Sequence, residues 1–292
     1  MRYEDSFRAM DTEIDVIIES EDSVRPFGAF GGVRLLFETQ EERFSRFRAT
    51  SLVSRLNGGE RVDDPWLAAA CRMALEAHAF TGGLFNPLIL ESLERAGYAK
   101  TFVEVSGGTP AAVPSPLPVD ALEIAGSVVA LNTGRLDLGG IVKGWTVDLA
   151  VEMLARAEPN VLVNAGGDLR CAGNEENDDG WRVTIAAPEA NGDAWEGAIH
   201  GALTTSTSLK RRWKTASGGE AHHLIDPRTG LPASSPFVQV SAWHALAWRA
   251  ECWAKAVLIG GDETGRLAAA YGVRVLAVDA ESGPRWFERL DS

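Results

Sequence analysis

Between Leu136 and Asp148 the chain reads Leu-Asp-Leu-Gly-Gly-Ile-Val-Lys-Gly-Trp-Thr-Val-Asp. An extended segment must end here, the backbone must turn within two glycines, and a helix must begin. A helix entered this way offers unpaired N–H groups and the positive end of its dipole to an anion. Lys143 adds a point charge beside them. Alone, the pattern is that of any tight turn ahead of a helix. It does require strands and helices to share one framework.

The flanking pattern fits that requirement. Residues 7–19 alternate Ile14, Val16 and Ile18 with Glu13, Asp15 and Glu19, as an opening strand does. Val33, Leu36, Phe37, Phe44 and Phe47 recur near helical spacing over 31–47, and a second helix is expected from Pro65 to Phe80. Composition makes 106–118 a loop, and 127–138 reads as a hairpin around Asn132-Thr133-Gly134. The next helix carries Val147, Ala150, Val151 and Leu154 on one face, with Pro159 soon after its end. Val161 to Val163 leads into Asn164-Ala165-Gly166-Gly167-Asp168, a buried strand entering a tight turn. A polar turn at 174–180, strands at 181–187 and 197–204, an Ala-rich helix at 246–260 and a late strand at 273–279 complete the chain. Strands and helices mix without a strict βαβ rhythm, and no internal repeat is present. The expected class is α+β, with mixed or antiparallel sheets packed by helices, as a single domain over 1–292.

The 292 residues carry 28 basic and 41 acidic side chains, a net charge of −13. Such a surface repels nucleic-acid phosphates and anionic lipid, so a nucleic-acid partner is not expected. Cys71, Cys171 and Cys252 are far apart and form no CxxC pair, which argues against a zinc site or a disulfide framework. The first twenty residues lack a basic segment followed by an apolar one and contain no cysteine to carry lipid. No apolar run approaches 18 residues, so the expectation is a cytoplasmic chain without a membrane anchor.

A second chemically suggestive stretch is Thr204-Thr205-Ser206-Thr207-Ser208, followed by His222-His223-Leu224-Ile225-Asp226-Pro227-Arg228-Thr229-Gly230. Small hydroxyl residues suit polyphosphate contacts. Adjacent histidines on a strand face opposite ways, so one at most faces a given site. A plain hairpin with a hydrogen-bonded histidine would read the same.

Taken in order, these segments resemble the FAD:protein FMN transferase family, also labelled ApbE-like. The resemblance rests on Met10-Asp11-Thr12, on Phe44-Ser45-Arg46-Phe47 with Ser51 and Leu56-Asn57, on Gly83-Leu84-Phe85-Asn86, and on the Asp137 to Gly144 run. It continues through Gly166-Gly167-Asp168, Thr205-Ser206 and His223 to Gly230, across nearly the whole chain. Asp11 and Thr207 replace glycines of the family pattern, and Asn86 replaces an acidic residue. In the last helix Glu251 and Lys255 stand where the family has an Asp and a Thr that bind magnesium.

The resemblance implies FAD as donor and transfer of FMN to a Ser or Thr of an acceptor protein, with AMP leaving. It implies flavin packing near Met10 and Phe47, with Leu84, Phe85 and Asn86 lining adenine or ribose. Asp137 would accept a hydrogen bond from the nucleotide, Lys143 would face the pyrophosphate, Thr205 would sit at the cofactor, and Leu224 and Ile225 would touch flavin. His223 is the first candidate for the base, since an unperturbed imidazole titrates near working pH. His222 and Asp226 are alternatives. Magnesium would be held by the Gly140 carbonyl and Glu251, unless Lys255 stands in the place of the ion. The i,i+4 spacing of Glu251 and Lys255 also allows a simple intrahelical ion pair. An FAD pyrophosphatase and a non-catalytic FAD carrier would use the same site.

Overall fold

A computed structural model describes residues 1–100, 108–109, 118–175, 179–188 and 192–289. Most of the 106–118 loop and part of the 174–180 turn lie outside the described residues.

One antiparallel sheet organises the molecule. Its eight strands are β1 (Arg2–Ala9), β2 (Thr12–Glu19), β3 (Asn160–Ala165), β4 (Asp168–Ala172), β5 (Ala202–Thr207), β6 (Phe237–His244), β7 (Arg274–Asp279) and β8 (Gly283–Phe287). Their order in space is their order along the chain, and every neighbouring pair is antiparallel. Everything else is an insertion into this meander. The largest separates β2 from β3 and holds α1 (Arg25–Phe44), α2 (Leu52–Asn57), α3 (Pro65–Phe80), α4 (Leu90–Arg95) and α5 (Val142–Leu154). The last helix, α6 (Ala247–Ala270), joins β6 to β7 and is kinked at Gly261, whose φ is 69°.

Alternation along β3 shows how the layers form. Val161, Val163 and Ala165 pack with Val147, Ala150 and Val151 of α5 and with Val33 and Phe37 of α1. Leu162 points the other way, onto Trp181, Ile185 and Ile199 of a two-stranded flap (Trp181–Ala186 with Asp193–Ile199). The middle of the strand is buried on both faces, which is why Val161-Leu162-Val163 is a continuous apolar run.

Helix ends follow local chemistry. The side chain of Asp64 accepts from Trp66 and Leu67 N–H, and Pro65 opens α3, where a missing N–H costs nothing. The first amides of α6 find a cap on another helix: the carboxylate of Asp148 in α5 accepts from Ala247 N–H at 2.8 Å and Trp248 N–H at 3.1 Å. Burial raises the Asp148 carboxyl to about 6, against those two amides and Arg170.

Three expected elements are corrected. The single strand at 7–19 is a hairpin, turned at Met10 and Asp11 with φ of 50° and 59°. Both residues are left-handed without being glycine, so the turn carried no glycine signal. The hairpin at 127–138 lies earlier, Leu122–Ala125 against Val128–Leu131, and 132–138 is irregular. The strand at 197–204 is two strand ends separated at Gly201, whose φ is 74°.

Candidate functional site

A cavity of about 430 Å³ opens where the β1–β2 turn, the C-terminal end of α1, the N-terminal end of α5 and the middle of α6 meet. Its position follows from a series of short-range locks. Asn57 receives Leu136 N–H on its carbonyl oxygen (2.7 Å) and donates to Leu136 O (2.9 Å), which fixes the segment carrying Asp137 to Gly140. Asp137 N–H then bonds Pro87 O at 2.8 Å, tying that segment to the one holding Leu84, Phe85 and Asn86. Thr81 Oγ1 accepts Phe85 N–H at 3.0 Å, and Asn86 Oδ1 accepts Leu88 N–H at 2.8 Å. Gly140 is required by closeness: a Cβ there would lie 3.1 Å from the Phe85 ring and 3.5 Å from Lys255 Cε.

The cations of the wall come from separate elements. Lys143, in the first turn of α5, contacts the carboxylate of Asp168 and donates to Ala165 O at 3.0 Å. Burial pulls its ammonium down to about 7, with Glu251 opposing and Lys255 and Arg211 adding to the fall. The Asp168 contact also favours the charged form. Lys255 Nζ lies 2.7 Å from Glu251 Oε1 on the next turn of α6. The other oxygen of Glu251 accepts Gly144 N–H at 3.0 Å, so this helix amide is not free for a ligand. Glu251 is buried; burial alone would raise its carboxyl, but Lys255, Lys143 and the Gly144 amide bring it below the ordinary value.

The two histidines separate because the strand Glu220–His222 ends at His222 and His223 lies in the bend after it. His222 turns away: its Nε2 lies 3.0 Å from Ala233 O and its Nδ1 accepts Leu224 N–H at 3.3 Å. His223 lines the cavity, and its buried Nδ1 has no hydrogen-bond partner. Burial first, then Arg211, Lys255, His222 and Lys143, hold its pKa well below 6.5, so the ring is neutral at neutral pH.

Most of the expected residues meet at this cavity. Met10, Phe47, Leu84, Phe85 and Asn86 line it, as do Asp137, Gly140, Lys143, His223, Leu224, Ile225 and Lys255. Two do not. Thr205 is outside the wall, with Oγ1 spent on Ser241 Oγ at 2.8 Å. Asp226 belongs to the turn after His223, where its carboxylate receives Arg228 Nε and Nη2 and the Arg228 backbone N–H. Both oxygens of that carboxylate are engaged by Arg228 within the turn. Asp137 is also more engaged than expected. Its Oδ2 lies 2.8 Å from Arg46 Nε and its Oδ1 accepts Gly139 N–H.

Arg46 and Arg211 are wall residues that sequence reasoning passed over. The Arg46 guanidinium sits 4.2 Å from the Phe47 ring centre and 4.7 Å from that of Tyr98. It stood inside a quoted motif, between two aromatics, without a role assigned. Arg211 is left-handed at φ 51° and pairs with Asp11 at 3.6 Å. The Lys210-Arg211-Arg212 run just beyond the hydroxyl-rich strand was its only signal.

Glu251 and the Gly140 carbonyl do not make a magnesium site with their present neighbours. Among the described residues no group of three or more His, Cys, Asp or Glu could hold a metal ion. Both Glu251 oxygens are engaged, one by an ammonium, whereas magnesium needs several oxygen ligands in octahedral array. The Cys252 thiol is held well above its ordinary pKa by burial and stays protonated.

The ApbE family model matches residues 10–277. A Vibrio cholerae protein named FAD:protein FMN transferase is 25% identical over 253 residues, covering 80% of this chain and 74% of that one. A Treponema pallidum protein of the same name is 28% identical over 266 residues, covering 78% of this chain and 70% of that one. Among solved structures, the ApbE protein of Thermotoga maritima superposes with a TM-score of 0.87 at 23% identity, covering 99% of this chain and 100% of the other. The flavin transferase ApbE of Vibrio cholerae superposes with a TM-score of 0.80 at 20% identity over 98% and 96% of the two chains. At such identities the structural likeness speaks to the fold.

Proposed function

The chain belongs to the ApbE family, and from that premise we propose that it transfers FMN from FAD to a serine or threonine hydroxyl of an acceptor protein, releasing AMP. The relatives named FAD:protein FMN transferase support the activity. The observation that carries the reading to this chain is the convergence of Lys143 and Lys255 with the neutral, unpartnered imidazole of His223 on one cavity. Two ammonium groups suit a diphosphate, and a neutral imidazole suits a hydroxyl proton.

In this mechanism His223 accepts the proton of the acceptor hydroxyl as that oxygen bonds to the FMN phosphorus. The bond from phosphorus to the oxygen of AMP breaks, and that oxygen leaves with the AMP. Lys143 and Lys255 offset the charge that gathers on the phosphate oxygens; positioning and charge are most of what such a transfer asks of a protein. Lys255, oriented by Glu251, supplies one positive charge where the resemblance would put magnesium. The transfer needs no metal at Glu251, whose two oxygens are already engaged by Lys255 and the Gly144 amide. The three cysteines are free and buried, which supports a reducing, cytoplasmic setting. No described helix is long and apolar enough to cross a membrane.

The test is incubation of the full chain with FAD and a candidate flavin-accepting domain, with and without a chelator. Flavin fluorescence on the acceptor band, retained in the chelator, is the expected result. Replacing Lys255→Thr together with Glu251→Asp should make transfer magnesium-dependent. Free FMN would instead mean a pyrophosphatase, and intact FAD a carrier. Loss of wild-type transfer in the chelator, with recovery on adding magnesium, would return an ion to the site.

A further inference from the structure

Helix α1 buries Val33, Phe37, Gln40 and Phe44, at the i, i+4, i+7 and i+11 spacing of an inward helical face. Three are apolar. The fourth, Gln40, is 0% exposed, yet neither its amide nitrogen nor its carbonyl oxygen has a hydrogen-bond partner. Buried amides in folded proteins are nearly always bonded, because an unmet donor or acceptor forfeits its water without return. Gln40 lines the cavity. Its polar neighbour is already engaged: Glu41 accepts Met10 N–H at 3.1 Å through Oε2 and faces Arg48 at 3.5 Å through Oε1. The same cavity wall carries the apolar side chains of Met10, Phe44 and Val142.

We propose that Gln40 is a specificity-determining residue that reads the imide edge of the flavin ring. The proposal rests on FAD being the donor. A carboxamide holds a donor and an acceptor side by side in one plane, so it pairs in register with a planar edge carrying an adjacent acceptor and donor. The pyrimidinedione end of flavin is such an edge, an N–H between two carbonyls. Adenine also offers a donor beside an acceptor, and a carboxamide can pair with it bidentately. The surroundings of Gln40 favour flavin. Met10 brings a polarizable thioether and Phe44 an aromatic ring to the same cavity wall. That wall matches a broad, electron-poor fused ring.

The test compares three probes on the full chain by equilibrium titration: FMN, FMN methylated at the imide nitrogen, and ADP. Methylation should weaken flavin binding to the wild-type protein at least tenfold. In Gln40→Leu the two flavins should bind alike, both more weakly than FMN binds the wild type, while ADP is unaffected. Should the variant fail to fold, the wild-type comparison of the two flavins decides alone. Equal binding of both flavins to the wild type overturns the proposal, as does a Gln40→Leu loss for ADP as large as for FMN. Wild-type protein that binds no flavin would overturn the transferase reading and this one together; wild-type binding without discrimination overturns only this one.

Discussion

At His223 every force acts in one direction. Burial disfavours the charged ring, and Arg211, Lys255, Lys143 and His222 add repulsion, so the pKa lies well below 6.5. A base works from its neutral form. With a depressed pKa that form persists as pH falls through 6.5 and is lost only as pH passes the lower value. The acid limb of kcat/KM for transfer should therefore fall below pH 6.5, and a limb at or above 6.5 in the pH profile would contradict this role. Substituting His223→Ala should leave FAD binding in place and slow transfer by about 10²–10⁴-fold, the usual contribution of a positioned base. Lost FAD binding in that variant would instead make His223 a binding residue.

Among the elements, the contact of α5 with α6 decides how the cationic groups are held. It is close because residue 144 is glycine. A Cβ there would lie 2.8 Å from Glu251 Oε2 and 2.9 Å from Trp248 Cα. The Gly144 amide bonds Glu251, which in turn holds Lys255, so helix spacing and lysine placement are one arrangement. Gly144→Ala should force the helices apart, lowering stability by about 1–3 kcal/mol as overpacking does. Urea unfolding measures it, and an unchanged midpoint would mean the crossing has slack. In sequence, Gly144 was legible only as part of a phosphate-binding pattern, whereas its partners stand more than a hundred residues away. Elements with strong periodicity were read well: the helix from Pro65 to Phe80 matches to the residue. Turns made without glycine were not. Met10 and Asp11 reverse the chain in the left-handed region, so the hairpin there read as one strand.

Across the whole molecule, the order of segments in the sequence brought most of the cavity wall into view, while the sheet that supports it was hidden. Eight strands form a simple meander, but 140 residues separate the end of β2 from the start of β3, residues 20–159, and no local pattern spans that gap. Gln40 was equally hidden, because a polar residue on an amphipathic helix reads as surface until its neighbours are known. The same architecture sets the last expectation. The wall draws on the β1–β2 turn, α1, the segment around Phe85, α5, the turn at Arg211, the His223 segment and α6. These pieces come from both ends of the chain and its middle, so global unfolding destroys the site. A ligand that binds only the folded form stabilises it by RT ln(1 + [L]/Kd), about 2.7 kcal/mol at a hundredfold excess over Kd. For a chain of this size that corresponds to a rise in Tm of roughly 5 °C, since each kcal/mol moves the midpoint by roughly 2 °C. FAD at that excess should produce the rise in a calorimetric scan. In Lys143→Ala, at the same FAD concentration, it should shrink, because a charged contact of about 1.5–3 kcal/mol is gone and Kd has risen about tenfold or more. A melting point indifferent to FAD would mean that the folded chain does not hold it in this cavity.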